Sequence, residues 1–155
     1  MADAQLANIL AIAKLQIERD EGCREVAYPD PLSGGDPWTI GYGETGPDIK
    51  EGTVWTPAQI DAAFNVKLSN LAGELDAQIT WWKTLGAARS AVLFEMAYQM
   101  GVSGLAGFEH MLAAARSGNF MLASALMLES AWARQTPERA RREAEQMRRG
   151  VVVKP

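Results

Sequence analysis

Cysteine and histidine are nearly absent, since the 155 residues contain one of each, Cys23 and His110. A single cysteine excludes an intrachain disulfide and fits synthesis in a reducing compartment. A single histidine excludes metal sites built from several histidines, including the HExxH zinc motif. A serine–histidine mechanism would depend on His110, but this residue lies in a predicted helix, and a place on the helix surface is the simpler interpretation. Carboxylates are therefore the main candidates for chemistry.

Positive charge is scarce outside the C-terminal segment. The whole chain carries a net charge of −4, which disfavours a nucleic-acid partner. Residues 134–155 contain seven Arg and Lys against three Glu, a net +4, so the remainder carries −8. A basic segment can attract anionic lipid or lipopolysaccharide, whereas a solvated helix face is the simpler interpretation. The sequence leaves both interpretations open.

The N-terminal segment lacks the basic start and the small-residue cleavage site of a signal peptide. Its apolar stretch is interrupted by Asn8 and Lys14 and is too short to span a bilayer. No GxSxG motif and no P-loop are present. The apolar share of 48% and the charged share of 22% are those of an ordinary soluble domain. We therefore expect one domain over residues 1–155.

Apolar residues at helical spacing predict an N-terminal helix from about residue 4 to Glu21, with Gly22 as its C-cap. The character changes over residues 24–55, where Gly, Pro, Asp and Ser recur and the apolar runs are short. This composition predicts a turn-rich β segment, either a hairpin or three short strands. Glu21 should therefore stand in the last turn of a helix, next to a chain reversal.

A long helix should follow, because Thr56, Pro57 and Gln59 combine an N-cap, a first-turn proline and a capping box. Four further helices are predicted over GAARSAVLFEMAYQMG (86–101), SGLAGFEHMLAAARSG (103–118), NFMLASALMLES (119–130) and TPERARREAEQMRRG (136–150), with Gly101, Gly118 and Gly150 at their ends and Thr136 and Pro137 at the last start. The predicted fold class is α+β, mainly α. A small β-containing lobe covers about 22–56, and a helical lobe covers about 57–150 with the N-terminal helix. A cleft between two lobes is a common place for a substrate.

Two of the acids suit glycoside hydrolysis, a reaction that a pair of carboxyl groups performs. One group must be protonated to donate to the leaving oxygen, and the other ionised to activate water. Partial burial raises the pKa of the first, and a polar, exposed loop keeps the second charged. Glu21, at a helix end, suits the first description, and Asp30, in the proline-rich loop, suits the second. The pairing alone is better explained by ordinary surface acids, because acids are common.

The segments around these acids resemble the phage lysozymes, the endolysins of the T-even phage type (glycoside hydrolase family 24). Glu21 and Asp30 enclose eight residues in EGCREVAYPD, and Thr39 opens TIGYG, as in that family's pattern. Two further segments, YQMGVSGLAGFEHML and SAWARQTPERARR, resemble a helix pair and a QTP segment of the family. The three segments cover most of the chain in the expected order. The resemblance implies a lysozyme-like fold with the active-site cleft between its lobes.

The resemblance also implies a role for each matched position. Glu21 would be the general acid, Asp30 would activate or orient the attacking water, and Thr39 would hold that water with its hydroxyl. Arg139, just after QTP, would pair with Glu21. The implied substrate-binding residues are Gln99, Gly101 and Phe108, together with Gly43, which with Gly41 would leave room for a sugar.

Simpler interpretations exist for the same residues. Glu21 could merely pair with Arg24 or Arg139, Thr39 could be an ordinary strand residue, and Gln99 could be a satisfied polar residue at a helix end.

The chain departs from the family pattern in two places. Glu44 stands after TIGYG, where the family commonly has histidine. A third acid close to Asp30 would raise one of the pKa values, and we expect a more acidic pH optimum than in a histidine-bearing relative. The loop from Asp30 to Thr39 is longer than in the T-even enzyme, and its Asp36 competes for the base role. The spacing from Glu21 favours Asp30.

Together these features predict a monomeric muramidase that hydrolyses the β-1,4 bond between N-acetylmuramic acid and N-acetylglucosamine in peptidoglycan, with no metal or cofactor. One alternative is a lytic transglycosylase, which cleaves the same bond by internal attack. Another is a non-catalytic peptidoglycan- or membrane-binding lysis protein that acts through the basic C-terminal helix. The missing signal peptide and the resemblance imply accumulation in the host cytoplasm, with release to the wall through a holin-type pore.

Overall fold

The structure, a computed structural model, describes residues 2–155. Within this range the chain forms seven α-helices and two β-strands. The helices are α1 (Ala2–Glu21), α2 (Pro57–Gln78), α3 (Ala87–Ala106), α4 (Glu109–Arg116), α5 (Phe120–Leu128), α6 (Ala131–Gln135) and α7 (Pro137–Arg149), and the strands are β1 (Arg24–Tyr28) and β2 (Thr39–Gly41). The predicted class, α+β and mainly α, is confirmed.

The chain divides into two compact units, and both divisions fall inside helices. The hairpin unit, Leu15–Asn70, contains the end of α1, both strands and the start of α2. Among the described residues, the helical unit contains 2–14 and Leu71–Pro155. The hairpin therefore shares its unit with parts of two helices.

Gly22 ends α1 and turns the chain. Its φ of +68° is a left-handed conformation, which costs other residues about 1–2 kcal/mol. Its N–H donates to the carbonyl of Glu18 at 3.1 Å. The predicted C-cap and the predicted end of the helix at Glu21 are confirmed.

β1 and β2 form an antiparallel hairpin, with Arg24 opposite Gly41 and Tyr28 opposite Thr39. The register shifts between these two pairs, because the β1 segment is longer than the β2 segment that it faces. A third chain segment contributes a single bridge, Val26 to Val54, without forming a strand. Of the two predicted arrangements, the hairpin is confirmed and the three strands are wrong. The residues buried beneath it are Ala27, Ile40 and Ile49, against which Trp38 and Trp55 pack.

α2 begins with the predicted capping box. The backbone N–H of Thr56 donates to Gln59 Oε1 at 2.8 Å, and the N–H of Gln59 donates to Thr56 Oγ1 at 3.2 Å. Pro57 occupies the first helical position, where a missing N–H costs nothing. The start of the helix is therefore fixed by local chemistry.

α3 carries much of the core of the helical unit. Its residues 91–97 are all buried, and Phe94 and Met96 are fully so. Trp82, in a 3₁₀ turn before α3, packs against Phe94 with ring centroids 5.7 Å apart. Its indole N–H donates to Asp76 at 2.8 Å, so the polar edge of this buried ring is satisfied.

The single helix predicted over residues 103–118 is wrong, because the chain breaks inside it. Gly101, with φ +82°, interrupts α3 where a helix end was predicted, and helical residues continue to Ala106. Phe108, with φ −81° and ψ 54°, then separates α3 from α4. His110 follows on α4 and is exposed, as its predicted place on a helix surface requires.

Thr136 belongs to the end of α6 and does not cap α7 with its side chain. Its hydroxyl donates to the carbonyl of Trp132 at 3.1 Å. α6 itself was not predicted, and its N-cap is Ser130, whose Oγ accepts a hydrogen bond from the N–H of Ala133 at 3.2 Å. The predicted threonine cap is therefore wrong, whereas Pro137 does begin α7.

Arg89 holds the C-terminal end of α7. Its Nε and Nη2 donate to the carbonyls of Met147 and Arg148 at 2.7 and 3.0 Å. Its guanidinium carbon lies 3.6 Å from the centroid of the Phe120 ring. These carbonyls have no partner inside the helix, so a cation here satisfies them.

The basic residues of α7 are largely paired with acids of the same helix. Glu145 lies within 4.0 Å of Arg141, 3.8 Å of Arg148 and 3.7 Å of Arg149. Glu138 lies 3.5 Å from Arg141. This pairing favours a solvated helix face over a free cationic surface. None of the helices within residues 2–155 is long and apolar enough to cross a membrane.

Gly150→Ala should destabilise the protein more than Gly118→Ala. Both glycines have positive φ, +73° and +84°, so both substitutions cost about 1–2 kcal/mol of backbone strain. A Cβ at Gly150 would also lie 2.7 Å from Arg89 Cζ, whereas one at Gly118 meets nothing within 4 Å. Chemical denaturation should show an extra loss of about 1 kcal/mol or more for Gly150→Ala. Equal losses would contradict the role of Arg89.

Candidate active site

Glu21 is the last residue of α1, and its side chain is exposed. The expected partial burial is wrong, because no further turn of α1 follows to cover the side chain. The position has a chemical advantage, since an exposed carboxyl group at a helix end can reach a glycosidic oxygen.

Asp30 follows β1 and organises the loop behind it. Its Oδ2 accepts a hydrogen bond from the N–H of Ser33 at 2.9 Å. Its backbone N–H donates to Gly35 O at 3.0 Å, and its carbonyl accepts from the N–H of Gly34 at 2.8 Å. The turn wraps the side chain, which is half-buried, so the expectation of an exposed second acid is wrong. Within residues 2–155 Oδ1 accepts no hydrogen bond, which leaves it able to accept one from water.

Asp36, the competing acid, plays a different part in the same loop. Its carbonyl accepts a hydrogen bond from the hydroxyl of Ser33 at 2.8 Å, and its side chain is exposed. The peptide bond between Asp36 and Pro37 is cis. The loop therefore forms a hydrogen bond with the side chain of Asp30, but only with the backbone carbonyl of Asp36.

Thr39 begins β2, opposite Tyr28, and its side chain is half-buried. Because Asp30 comes two residues after Tyr28, Asp30 and Thr39 lie at the same end of the hairpin. Glu21 precedes the other end, where Arg24 faces Gly41. All three predicted catalytic residues belong to the hairpin unit.

Gly41 and Gly43 are required by the backbone, with φ values of +64° and +93°. Gly41 is buried, and a Cβ there would lie 3.4 Å from Ile60 Cγ2, so the space beside it is already filled by α2. The room expected for a sugar at Gly41 is therefore absent. The carbonyl of Gly43 accepts a hydrogen bond from Lys67 Nζ at 3.1 Å. A substrate contact at Gly43 stays a prediction.

Glu44 is half-buried, and its Oε1 is buried with no hydrogen-bond partner within the described residues. Its backbone pairs with Ile40 through hydrogen bonds of 2.8 and 2.9 Å. Burial raises the pKa of Glu44, and the positive charge of Lys67 opposes this rise. The predicted direction is confirmed, but the predicted cause is wrong, because desolvation and not the charge of Asp30 raises this pKa.

Tyr42 lines a corner of the hairpin unit that the sequence did not indicate, although the residue stands inside TIGYG. Burial raises its pKa, and nearby Glu18, Cys23 and Asp61 raise it further. The side chain of Cys23, one of these neighbours, is exposed. The corner opens on a hollow of about 310 Å³, lined by Cys23, Glu25, Tyr42, Pro57, Ile60 and Asp61. One of the lining residues, Cys23, comes two positions after Glu21 in the sequence.

In the helical unit, the structure brings Gln99 and Phe108 together through Trp132. Gln99 Oε1 accepts a hydrogen bond from the indole N–H of Trp132 at 2.8 Å. The Phe108 ring meets the Trp132 ring edge to face, with centroids 6.2 Å apart. Sequence reasoning did not single out Trp132, although this residue stands in the matched segment SAWARQTPERARR. Gly101 contributes the break in α3 two residues after Gln99.

Arg139 lies on the first turns of α7 and is mostly buried. Its Nε is 3.5 Å from Glu143 Oε2, and the side chains are 12% and 2% exposed. An ion pair this well shielded is screened little by salt. The pairing of Arg139 with Glu21 stays a prediction.

Across residues 2–155, no three His, Cys, Asp or Glu side chains are grouped so that they could hold a metal ion.

The effect of Glu44→Gln on the stability of the protein should be more favourable at pH 7 than at pH 4. Because the folded-state pKa of Glu44 is raised, the folded protein binds more protons than the unfolded chain as pH rises past the ordinary glutamate pKa. Stability is therefore lost with rising pH, and the substitution removes that loss. The shift in Tm caused by Glu44→Gln should be more favourable at pH 7, with exposed Glu51→Gln as the control. A Tm shift independent of pH would contradict the buried acid.

A family model described as phage lysozyme matches residues 18–146, which is most of the chain. The matched range contains all three predicted catalytic residues and also Gln99, Phe108 and Arg139. No individual curated protein matched the chain. The extent of the family match shows that this chain belongs to the phage lysozyme family, a family of peptidoglycan-hydrolysing endolysins.

Proposed function

We propose that the protein is a muramidase of the T-even phage type, a member of glycoside hydrolase family 24. It hydrolyses the β-1,4 bond between N-acetylmuramic acid and N-acetylglucosamine in peptidoglycan and thereby lyses the host cell. One observation carries the proposal: Glu21, Asp30 and Thr39, at the family's spacing, belong to one compact unit built around the α1 end and the hairpin.

Glu21 is the general acid of the proposed reaction. It must donate a proton to the glycosidic oxygen while the bond to the anomeric carbon breaks. Its exposed place at the end of α1 supports this role, because the leaving oxygen lies in the middle of a polymer. The turn at Gly22 fixes the residue at which the helix stops and so fixes the acid.

Asp30 and Thr39 handle the water. The N–H of Ser33 holds Asp30 Oδ2, so the carboxylate cannot rotate freely and Oδ1 is available to a water. The hydroxyl of Thr39, at the same end of the hairpin, makes no hydrogen bond to any residue from 2 to 155 and can bind that water. A water positioned by a second carboxylate attacks the face opposite the leaving group, which gives inversion.

Gln99, Gly101, Phe108 and Gly43 bind the sugar chain in this proposal, and Arg139 supports Glu21. The contact of Gln99 with Trp132 supports the first group, because the tryptophan fixes the amide of Gln99 next to an aromatic pair. The simpler interpretation of Gln99 as a satisfied polar residue rests on the same hydrogen bond, and a Gln99→Ala variant with unchanged KM would favour it.

Two alternatives have less support. A lytic transglycosylase needs only the acid, and the ordered carboxylate of Asp30, at the same end of the hairpin as Thr39, has no function in internal attack. A membrane-active lysis protein would need free positive charge on α7, but Glu145 contacts three of its arginines. Hydrolysis is the function that the site supports best.

The proposal places the enzyme in the host cytoplasm until a holin-type pore admits it to the wall. Expression with and without a pore-forming partner tests this placement. Lysis should follow only when the pore is present, and lysis without it would contradict the placement.

Glu21→Gln should abolish lysis of outer-membrane-permeabilised Gram-negative cells. The amide keeps the size of the side chain but has no proton to donate, so the rate should fall by about 10²-fold or more. Turbidity clearing measures the rate, and Glu51→Gln removes another exposed carboxylate of the hairpin unit as a control. Equal lysis by Glu21→Gln and wild type would contradict the assignment of the acid.

Asp30→Asn should inactivate the enzyme, whereas Asp36→Asn should retain most of its activity. The asparagine at position 30 can still accept the hydrogen bond from Ser33, so the loop should keep its shape while the base is lost. The same turbidity assay compares the two variants, with Tm as the measure of folding. Loss of activity in Asp36→Asn alone would transfer the base role to Asp36.

A further inference from the structure

A groove on the helical unit lies apart from every residue that the proposed reaction uses. Its volume is about 540 Å³, within the range of sites for small ligands. Its walls are the end of α2, Trp81 and one face of α4. The apolar part includes Ile79, Leu112 and Ala113.

The face of α4 that lines the groove carries opposite charges at its two ends. Glu109, Leu112, Ala113 and Arg116 follow one another at steps of three, one and three residues, so they share a face. Glu109 and Arg116 stand about 10 Å apart along the helix axis. Both side chains are exposed, and neither forms an ion pair with any described residue. Two unpaired, opposite charges thus flank an apolar floor.

Trp81 provides a flat wall next to the positive end. The guanidinium carbon of Arg116 lies 5.9 Å from the centroid of the Trp81 ring, and Trp81 itself is half-exposed. A guanidinium over an aromatic ring keeps its N–H donors in one plane, which suits a carboxylate. Gln78 adds an amide to the rim of the groove.

We propose that this groove binds the peptide part of peptidoglycan, with a carboxylate at Arg116 and an ammonium group at Glu109. The proposal rests on the proposed substrate, because the peptide stems are attached to its muramic acid residues. A stem that contains diaminopimelate carries free carboxylates and a free ammonium group on an alkyl chain. The alkyl part lies over Leu112 and Ala113, and an amide of the stem meets Gln78.

Charge complementarity selects this ligand over others. An anionic lipid or a nucleic acid would place negative charge against Glu109, and a neutral glycan would leave both charges unpaired. A short zwitterionic peptide satisfies both ends at once, and its hydrocarbon covers the floor between them.

Titration of the full-length protein with the tetrapeptide L-Ala–γ-D-Glu–diaminopimelate–D-Ala, followed by NMR, tests the proposal. Saturable shifts are expected for the indole N–H of Trp81 and the backbone amides of α4. Arg116→Gln should bind the peptide about tenfold more weakly, because a charge-assisted bidentate contact is lost. Glu109→Gln should also weaken binding. Arg134→Gln, which removes an exposed arginine outside the groove, should bind like wild type.

Absence of saturable shifts in the wild type, or equal affinity in Arg116→Gln and wild type, would overturn the proposal. Cleavage of peptide-free glycan strands by the wild type separates this result from the proposed muramidase function. Cleavage without peptide binding overturns the groove and keeps the muramidase. Peptide binding without cleavage of any glycan keeps the groove and contradicts the muramidase.

Discussion

The left-handed turn at Gly22 is the constraint on which the candidate site depends. Its φ of +68° is open to glycine and strained for other residues, and nothing lies within 4 Å of a Cβ built there. The constraint is therefore in the backbone and not in packing. It ends α1 at Glu21, starts the hairpin two residues later and so determines where Asp30 and Thr39 fall. A shift of this turn by one residue would change the position of the acid and the register of the strands together.

The three acids near the hairpin differ in a way that gives them different chemistry. Glu21 is exposed at a helix end, Asp30 is half-buried and hydrogen-bonded to the N–H of Ser33, and Glu44 has a buried oxygen without a partner. Burial raises the pKa of Glu44, and the positive charge of Lys67 opposes the rise. Desolvation favours the protonated form of a carboxyl group, which does not suit a base. The base role therefore suits Asp30 better than Glu44.

Features decided by a few neighbouring residues could be predicted from the sequence. The cap at Gly22 and the capping box with Gln59 were predicted, because each depends on residues at most four positions apart. The break at Phe108 was missed, because a helical apolar pattern continues on both sides of it. The exposure of Glu21 and the burial of Glu44 depend on which residues pack around them in the fold. The spacing of residues along the sequence does not give this information. The family match covers the whole site but does not report these surroundings.

The central claim is that a water, directed by Asp30 and Thr39, cleaves the bond that Glu21 protonates. Mass spectrometry of the sugar fragments released from purified peptidoglycan tests it most directly. The account predicts N-acetylmuramic acid with a free reducing end, because water adds to the anomeric carbon. A 1,6-anhydro end would show that no water took part and would contradict the account.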